Sequence, residues 1–89
     1  MISTPLTIVN KLGLHARAAA KLISIATKYP CQIQIEANGR SVDAKSIMSV
    51  MMLAAGKGTD ITLHIDGAQE AEATAALTTL INNRFDEAE

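Results

Sequence analysis

The chain has 89 residues, 48% of them hydrophobic, which predicts one small globular domain over residues 1–89. Its single Tyr and Phe and its lack of Trp leave little for base stacking; residues 1–59 are basic and could attract acidic protein surfaces, but no basic run or known nucleic-acid motif is present, so nucleic-acid binding is not expected. One Cys excludes an internal disulfide, and neither a signal peptide nor an apolar run of about 20 residues is present, so we expect a cytoplasmic protein without membrane insertion.

The first third of the chain predicts a strand, a turn and a helix. Ile2–Val9 is rich in β-branched residues and predicts the strand, and Gly13 permits a sharp turn after it. Residues 16–28 predict a helix, whose apolar face carries Ala19, Leu22, Ile23 and Ala26. His15 and Arg17 therefore fall at the helix start, where backbone N–H groups lack intrahelical partners and suit an anion.

The middle of the chain predicts a hairpin and a short helix. Residues 31–44 alternate in polarity around Asn38-Gly39, a pair that favours a type I′ turn. Ser46 is a good N-cap for a helix over residues 46–53, with Val50 and Leu53 facing inward. Either Gly56 or Gly58 is expected to end that helix.

The remaining residues predict a strand followed by a helix. Residues 60–66 alternate, with Ile61, Leu63 and Ile65 on one face, and residues 68–85 carry an apolar stripe of Ala73, Ala76, Leu77 and Leu80. The order is therefore βαββαβα. Because the strands alternate, one sheet face is covered and the other is wet, which predicts an α+β open-faced sandwich: a four-stranded antiparallel sheet with three helices on one face.

His15 is the strongest candidate for chemistry. The positive end of a helix disfavours imidazolium, so its ring can stay neutral and nucleophilic, and Arg17 can pair with the oxygens of a phosphoryl group on it. The alternative is a surface histidine without a role. His64 is expected on the wet sheet face, and its spacing from His15 and Cys31 predicts no metal site and no cofactor.

A second candidate surface lies on the helix at 46–53. Ile47, Met48 and Met51 fall away from its inward side, and exposed Met clusters are typical of adaptable docking patches. The alternative is that they pack partly inward. Phosphorylation of Ser46 would add about two negative charges, which the helix N-terminus tolerates but an acidic partner would oppose.

These residues resemble the histidine-containing phosphocarrier proteins, HPr, of the bacterial phosphoenolpyruvate-dependent phosphotransferase system. "GLHAR" at 13–17 is similar to the family's active-site motif, and "AKSIMSVMMLAAGKGT" at 44–59 is similar to its regulatory-serine segment. Ser46 follows His15 at the family's spacing. The resemblance covers essentially the whole chain, and the family fold is the sandwich predicted above.

The resemblance implies a phosphoryl carrier rather than a turnover enzyme. His15 would accept a phosphoryl group on Nδ1 from phosphorylated Enzyme I and pass it to a histidine of an Enzyme IIA domain, while Arg17 stabilises the phosphoryl oxygens. Ser46 would be the target of a regulatory serine kinase. The docking surface would comprise Ile47, Met48 and Met51, with Leu14 and Ala20 as neighbours.

Two residues depart from the family pattern. Ala18 stands where many members have Pro, and Ala16 where Thr or Ser is common, so we expect a slightly looser but working site. Two other functions stay open: a nitrogen-related paralogue in a regulatory phosphorelay, suggested by the "RFDEAE" ending, and a non-catalytic interaction domain. A monomer is expected.

Overall fold

The computed structural model describes residues 1–88 and contains a four-stranded sheet and three α-helices. The elements are β1 (Ile2–Thr7), α1 (Ala16–Ala26), β2 (Gln32–Ala37), β3 (Arg40–Asp43), α2 (Ile47–Met52), β4 (Asp60–Asp66) and α3 (Glu70–Asn82). A single 3₁₀ turn at Arg84–Asp86 follows α3. The predicted order βαββαβα is confirmed.

The sheet is antiparallel throughout, in the order β1-β4-β2-β3. Ile33 pairs with Ile65 and Ile35 with Leu63, so the apolar residues of the two central strands share one face. That face is buried together with apolar residues of the helices, and the opposite face carries the polar residues of the same strands. The predicted α+β open-faced sandwich is confirmed.

Several element ends differ from the sequence prediction, and α2 (predicted over 46–53) and the start of α3 (predicted at residue 68) are among them. β1 ends at Thr7 rather than Val9, α1 at Ala26 rather than at residue 28, and α3 at Asn82 rather than at residue 85. After β1 the backbone hydrogen-bonds to the loop before β4 and not to a strand: the amide of Ile8 donates to the Thr59 carbonyl at 3.0 Å.

No glycine ends α2, contrary to expectation. The amides of Leu53 and Ala54 donate to the carbonyls of Val50 and Met51, three residues back, which tightens the last turn. Ala54 then takes the left-handed conformation at φ 51° and reverses the chain. The inward placement of Val50 and Leu53 is confirmed, because both are buried.

The segment 84–87, which follows α3, turns back onto the core. Arg84, Phe85 and Asp86 have φ values of 58°, 52° and 62°, a left-handed run that costs about 1–2 kcal/mol per residue. Burial of Phe85, which is completely enclosed among residues of the core, offsets this cost. Within residues 1–88, no helix has the length and apolarity that crossing a membrane requires.

Candidate functional site

The turn that leads into α1 packs against the loop at residues 55–56. Gly13 has φ +67°, and the amide of Leu14 donates to the Ala55 carbonyl at 2.9 Å. A Cβ atom on Gly13 would lie 2.4 Å from that carbonyl oxygen and 2.7 Å from Gly56 Cα. Glycine at position 13 therefore meets both a conformational and a steric requirement of this contact.

His15 is the N-cap residue of α1. Its backbone is extended, with φ −74° and ψ 178°, and its carbonyl accepts the first helical hydrogen bond from Ala19 at 2.8 Å. Its side chain does not cap the helix. The amides of residues 16–18 thus have no intrahelical acceptors and form the positive end of the helix dipole beside the imidazole ring.

The His15 ring is held from one side by Glu87. Nε2 lies 2.5 Å from Glu87 Oε2, and the side chains are 28% and 15% exposed, respectively. The other carboxylate oxygen of Glu87 accepts from Asn10 Nδ2 at 3.1 Å. Because an ionised carboxylate only accepts, the hydrogen bond places a proton on Nε2. Nδ1 has no hydrogen-bond partner within residues 1–88.

The surroundings of Glu87 favour its charged form. Burial acts to raise the pKa of this carboxyl, but hydrogen bonds from Asn10 and His15 and the charges of His15 and Lys21 outweigh it and hold the pKa below its ordinary value of 4.5. The carboxylate is therefore present and negative at neutral pH.

Arg17 lies in the first turn of α1, as the sequence predicts, and its side chain is exposed. Among the described residues it makes no hydrogen bond or ion pair, so its guanidinium can reach a ligand at the helix start. The two residues that depart from the family pattern differ in environment, because Ala16 is exposed and Ala18 is completely buried. Ala18 thus serves as a small packing residue beneath the site.

Ser46 caps α2, and its hydroxyl accepts from the amide of Ser49 at 3.4 Å. Because α1 contacts α2, the helix with N-cap His15 and the helix with N-cap Ser46 are neighbours. Exposed apolar side chains of α2 form a surface that we call the α2 patch, and its members are Ile47, Met48, Met51 and Met52. Met52, which is 59% exposed, joins the three residues that the sequence predicts for this surface.

The two expected neighbours of the α2 patch have different environments. Ala20 is exposed on α1 and is available to a partner. Leu14 is only 5% exposed and belongs to the core, so little of its side chain is open to a partner. The reason is its position directly after Gly13, where the turn against Ala55 directs the side chain inward.

Glu87 is the site residue that sequence reasoning missed. It lies 72 positions after His15 and follows a helix that the sequence predicts to continue through residue 85. No local pattern marks it. The available signal was Phe85, a lone aromatic residue after an amphipathic helix, whose burial requires the chain to fold back.

His64 lies on the open face of the sheet, as predicted, but it is not isolated. Its Nδ1 lies 3.0 Å from Ser3 Oγ and its Nε2 lies 2.8 Å from Glu36 Oε1. These contacts cross-link three adjacent strands and give the ring a structural role. Among residues 1–88, no group of three or more His, Cys, Asp or Glu side chains is arranged to hold a metal ion.

Comparison with known proteins agrees with this geometry. Residues 2–83 match the family model described as PTS HPr component phosphorylation site. The chain is 62% identical to the phosphocarrier protein HPr of Pseudomonas aeruginosa over 90 residues and 57% identical to that of Cupriavidus necator over 89 residues, each alignment covering 100% of both chains. A crystal structure of HPr-C-His from Thermoanaerobacter tengcongensis superimposes with a TM-score of 0.96 at 40% identity, again over 100% of both chains. With a histidine at the helix start, a serine-capped neighbouring helix and this similarity over its full length, the chain belongs to the HPr family of phosphocarrier proteins of the phosphotransferase system.

Proposed function

We propose that Nδ1 of His15 is the atom that carries the phosphoryl group. The observation that supports it is the asymmetry of the ring: Nε2 is occupied by Glu87, while Nδ1 has no partner among residues 1–88. The Nδ1 lone pair attacks phosphorus, the bond between phosphorus and the donor atom of Enzyme I breaks, and its electron pair leaves with the donor. The reverse step transfers the group to a histidine of an Enzyme IIA domain.

The helix start and Arg17 receive the phosphoryl oxygens. The amides of residues 16–18 supply donors and partial positive charge, and the exposed guanidinium of Arg17 supplies a bidentate partner. The His15 side chain is 28% exposed at the helix start, and a site on the surface suits a carrier, because a group bound too tightly would not be passed on.

The α2 patch is the proposed docking surface for Enzyme I and the Enzyme IIA domains. Its three methionines adapt to more than one partner, which a carrier that meets a donor and an acceptor in turn requires. All Lys and Arg residues except Arg84 lie within residues 1–59, whereas all acidic residues except Glu36 and Asp43 lie within residues 60–89. The site-bearing half is thus basic and is steered towards acidic partner surfaces.

Ser46 is the proposed regulatory site, phosphorylated by a serine kinase. Its hydroxyl already caps α2, and a phosphate there is favoured by the helix N-terminus. The added charge of about −2 lies beside the α2 patch and repels acidic partners. Phosphorylation would then slow transfer without unfolding the helix.

The deciding experiment is incubation with Enzyme I and phosphoenolpyruvate. We expect an acid-labile, base-stable phosphate on the wild type and none on His15→Ala; equal labelling of the two would contradict the proposal. Relative rates with the Enzyme I of the sugar system and that of the nitrogen system decide between those branches. We also propose a cytoplasmic monomer, for which a dimeric mass in sedimentation would be the contrary result.

A further inference from the structure

We propose that Glu87 is a positioning residue for His15: it keeps the ring proton on Nε2 and balances the positive charge that the ring gains when Nδ1 is phosphorylated. This inference rests on the proposed function, because it concerns what happens while His15 carries the group. It assigns a role to a residue that lies outside both sequence motifs. This role requires a carboxylate that is held in place.

The first support is Asn10, a completely buried polar residue in the turn before His15. Its Nδ2 donates to the Gly13 carbonyl at 2.8 Å and to Glu87 Oε1 at 3.1 Å. Both neighbours are acceptors, so the amide has one possible orientation with its NH₂ group towards them. Asn10 therefore fixes the carboxylate to the same turn that fixes the histidine.

The second support is the anchoring of the segment 84–87. Phe85 is fully buried, and Lys21 Nζ donates to its carbonyl at 2.7 Å. Lys21 lies on α1, the helix whose N-cap is His15, so the carboxylate and the imidazole are attached to the same helix. Oε2 of Glu87 is therefore already in place beside Nε2, and no loss of conformational entropy of this segment is needed each time His15 is phosphorylated.

The chemistry assigns each atom a place. Before transfer, Nε2 bears the ring proton and donates a hydrogen bond to the Glu87 carboxylate, while Nδ1 bears the lone pair. When Nδ1 bonds to phosphorus and the donor leaves with its bonding pair, the ring keeps the Nε2 proton and becomes positively charged. The carboxylate beside Nε2 stabilises this protonated phosphoimidazole, which is the form that releases its phosphoryl group readily. On transfer to the acceptor, the N–P electron pair returns to Nδ1 and the starting tautomer is restored.

Two substitutions at Glu87 test its two roles separately: keeping the proton on Nε2, and balancing the charge of the phosphorylated ring. Glu87→Ala removes both acceptor and charge, and we expect the ¹⁵N NMR spectrum of unphosphorylated His15 to shift from mainly Nε2–H towards a mixture of tautomers. Glu87→Gln keeps an acceptor oxygen but removes the charge. We expect it to retain the Nε2–H tautomer, while hydrolysis of its phosphorylated form and its transfer to Enzyme IIA at neutral pH both slow about tenfold, as for loss of a hydrogen bond to a charged group.

The matched control is Glu72→Gln, an exposed carboxylate of α3 that makes no contact with the site. It should change neither readout. An unchanged tautomer in Glu87→Ala overturns the positioning role, and an unchanged hydrolysis rate in Glu87→Gln overturns the charge-balancing role. If the wild type is not phosphorylated at all, the proposed function fails, but the NMR measurement still decides the role of Glu87.

Discussion

Gly13 contacts the backbone of Ala55 so closely that a Cβ atom on it would lie 2.4 Å from the Ala55 carbonyl oxygen. The same carbonyl accepts the amide of Leu14 at 2.9 Å, so this contact sets the position of the residue before His15. Two loops far apart in sequence are thereby joined directly beneath the site. A larger residue at position 13 would therefore force one of these two loops to move.

Gly13→Ala should be much more harmful than alanine at other left-handed glycines. A left-handed Ala costs about 1–2 kcal/mol, and at Gly13 the clash with Ala55 adds to it, so we expect a loss of about 3 kcal/mol in the free energy of unfolding. Gly39→Ala is the control, because Gly39 has φ +78° with nothing within 4 Å of an added Cβ. Urea denaturation measures both, and equal losses would show that the clash with Ala55 is relieved.

Met48 should contribute to docking and not to stability. Its side chain is 69% exposed in the α2 patch, so Met48→Ala should change the free energy of unfolding by less than about 0.5 kcal/mol. The KM for phosphorylation by Enzyme I should rise about fivefold, since the lost contact lies at the proposed interface. Val50→Ala, on the buried side of the same helix, should do the reverse and cost about 2 kcal/mol of stability with little change in KM. An unchanged KM for Met48→Ala would place the interface elsewhere.

Ser46→Asp should slow phosphorylation by Enzyme I while leaving the fold stable. Asp is a good N-cap and is favoured by the helix dipole, so the free energy of unfolding should change by less than about 1 kcal/mol. The added charge should repel an acidic partner and lower kcat/KM about tenfold. Ser46→Asn keeps a capping side chain without the charge and should transfer at nearly the wild-type rate. If Asp and Asn behave alike, charge is not the cause.

The contribution of Glu87 to the stability of the folded protein should decrease at acid pH. The pKa of Glu87 in the folded protein lies below 4.5, so the unfolded chain binds this proton more readily and the carboxylate stabilises the native state above the unfolded-state pKa. That stabilisation is lost as the pH falls through the folded-state pKa. The difference in thermal midpoint between wild type and Glu87→Gln should therefore be largest near neutral pH and shrink as the pH falls below 4.5 and through the folded-state pKa of Glu87. A difference that stays constant over this range would exclude the ionised Glu87 as its source.

Much of the fold was determined by the sequence alone, because its periodicity is regular. The alternation around Ile61, Leu63 and Ile65 and the helical spacing of Leu22 and Ala26 each allow one buried face, so element types, order and sheet class follow from local patterns. His15, Arg17 and Ser46 lie within a few residues of the turn or cap that orients them. Features that depend on such short-range patterns can be predicted from a single sequence.

The tertiary structure alone decided the features that depend on contacts between distant residues. Leu14 is buried because the turn at Gly13 packs against Ala55, and α3 stops at Asn82 because burying Phe85 requires a reversal that a continuing helix could not make. The same reversal brings Glu87 to His15 across 72 positions of sequence. Hydrophobic periodicity records which side of an element faces the core, but it carries no information about which distant polar group meets which, since that choice is made only when the whole core closes.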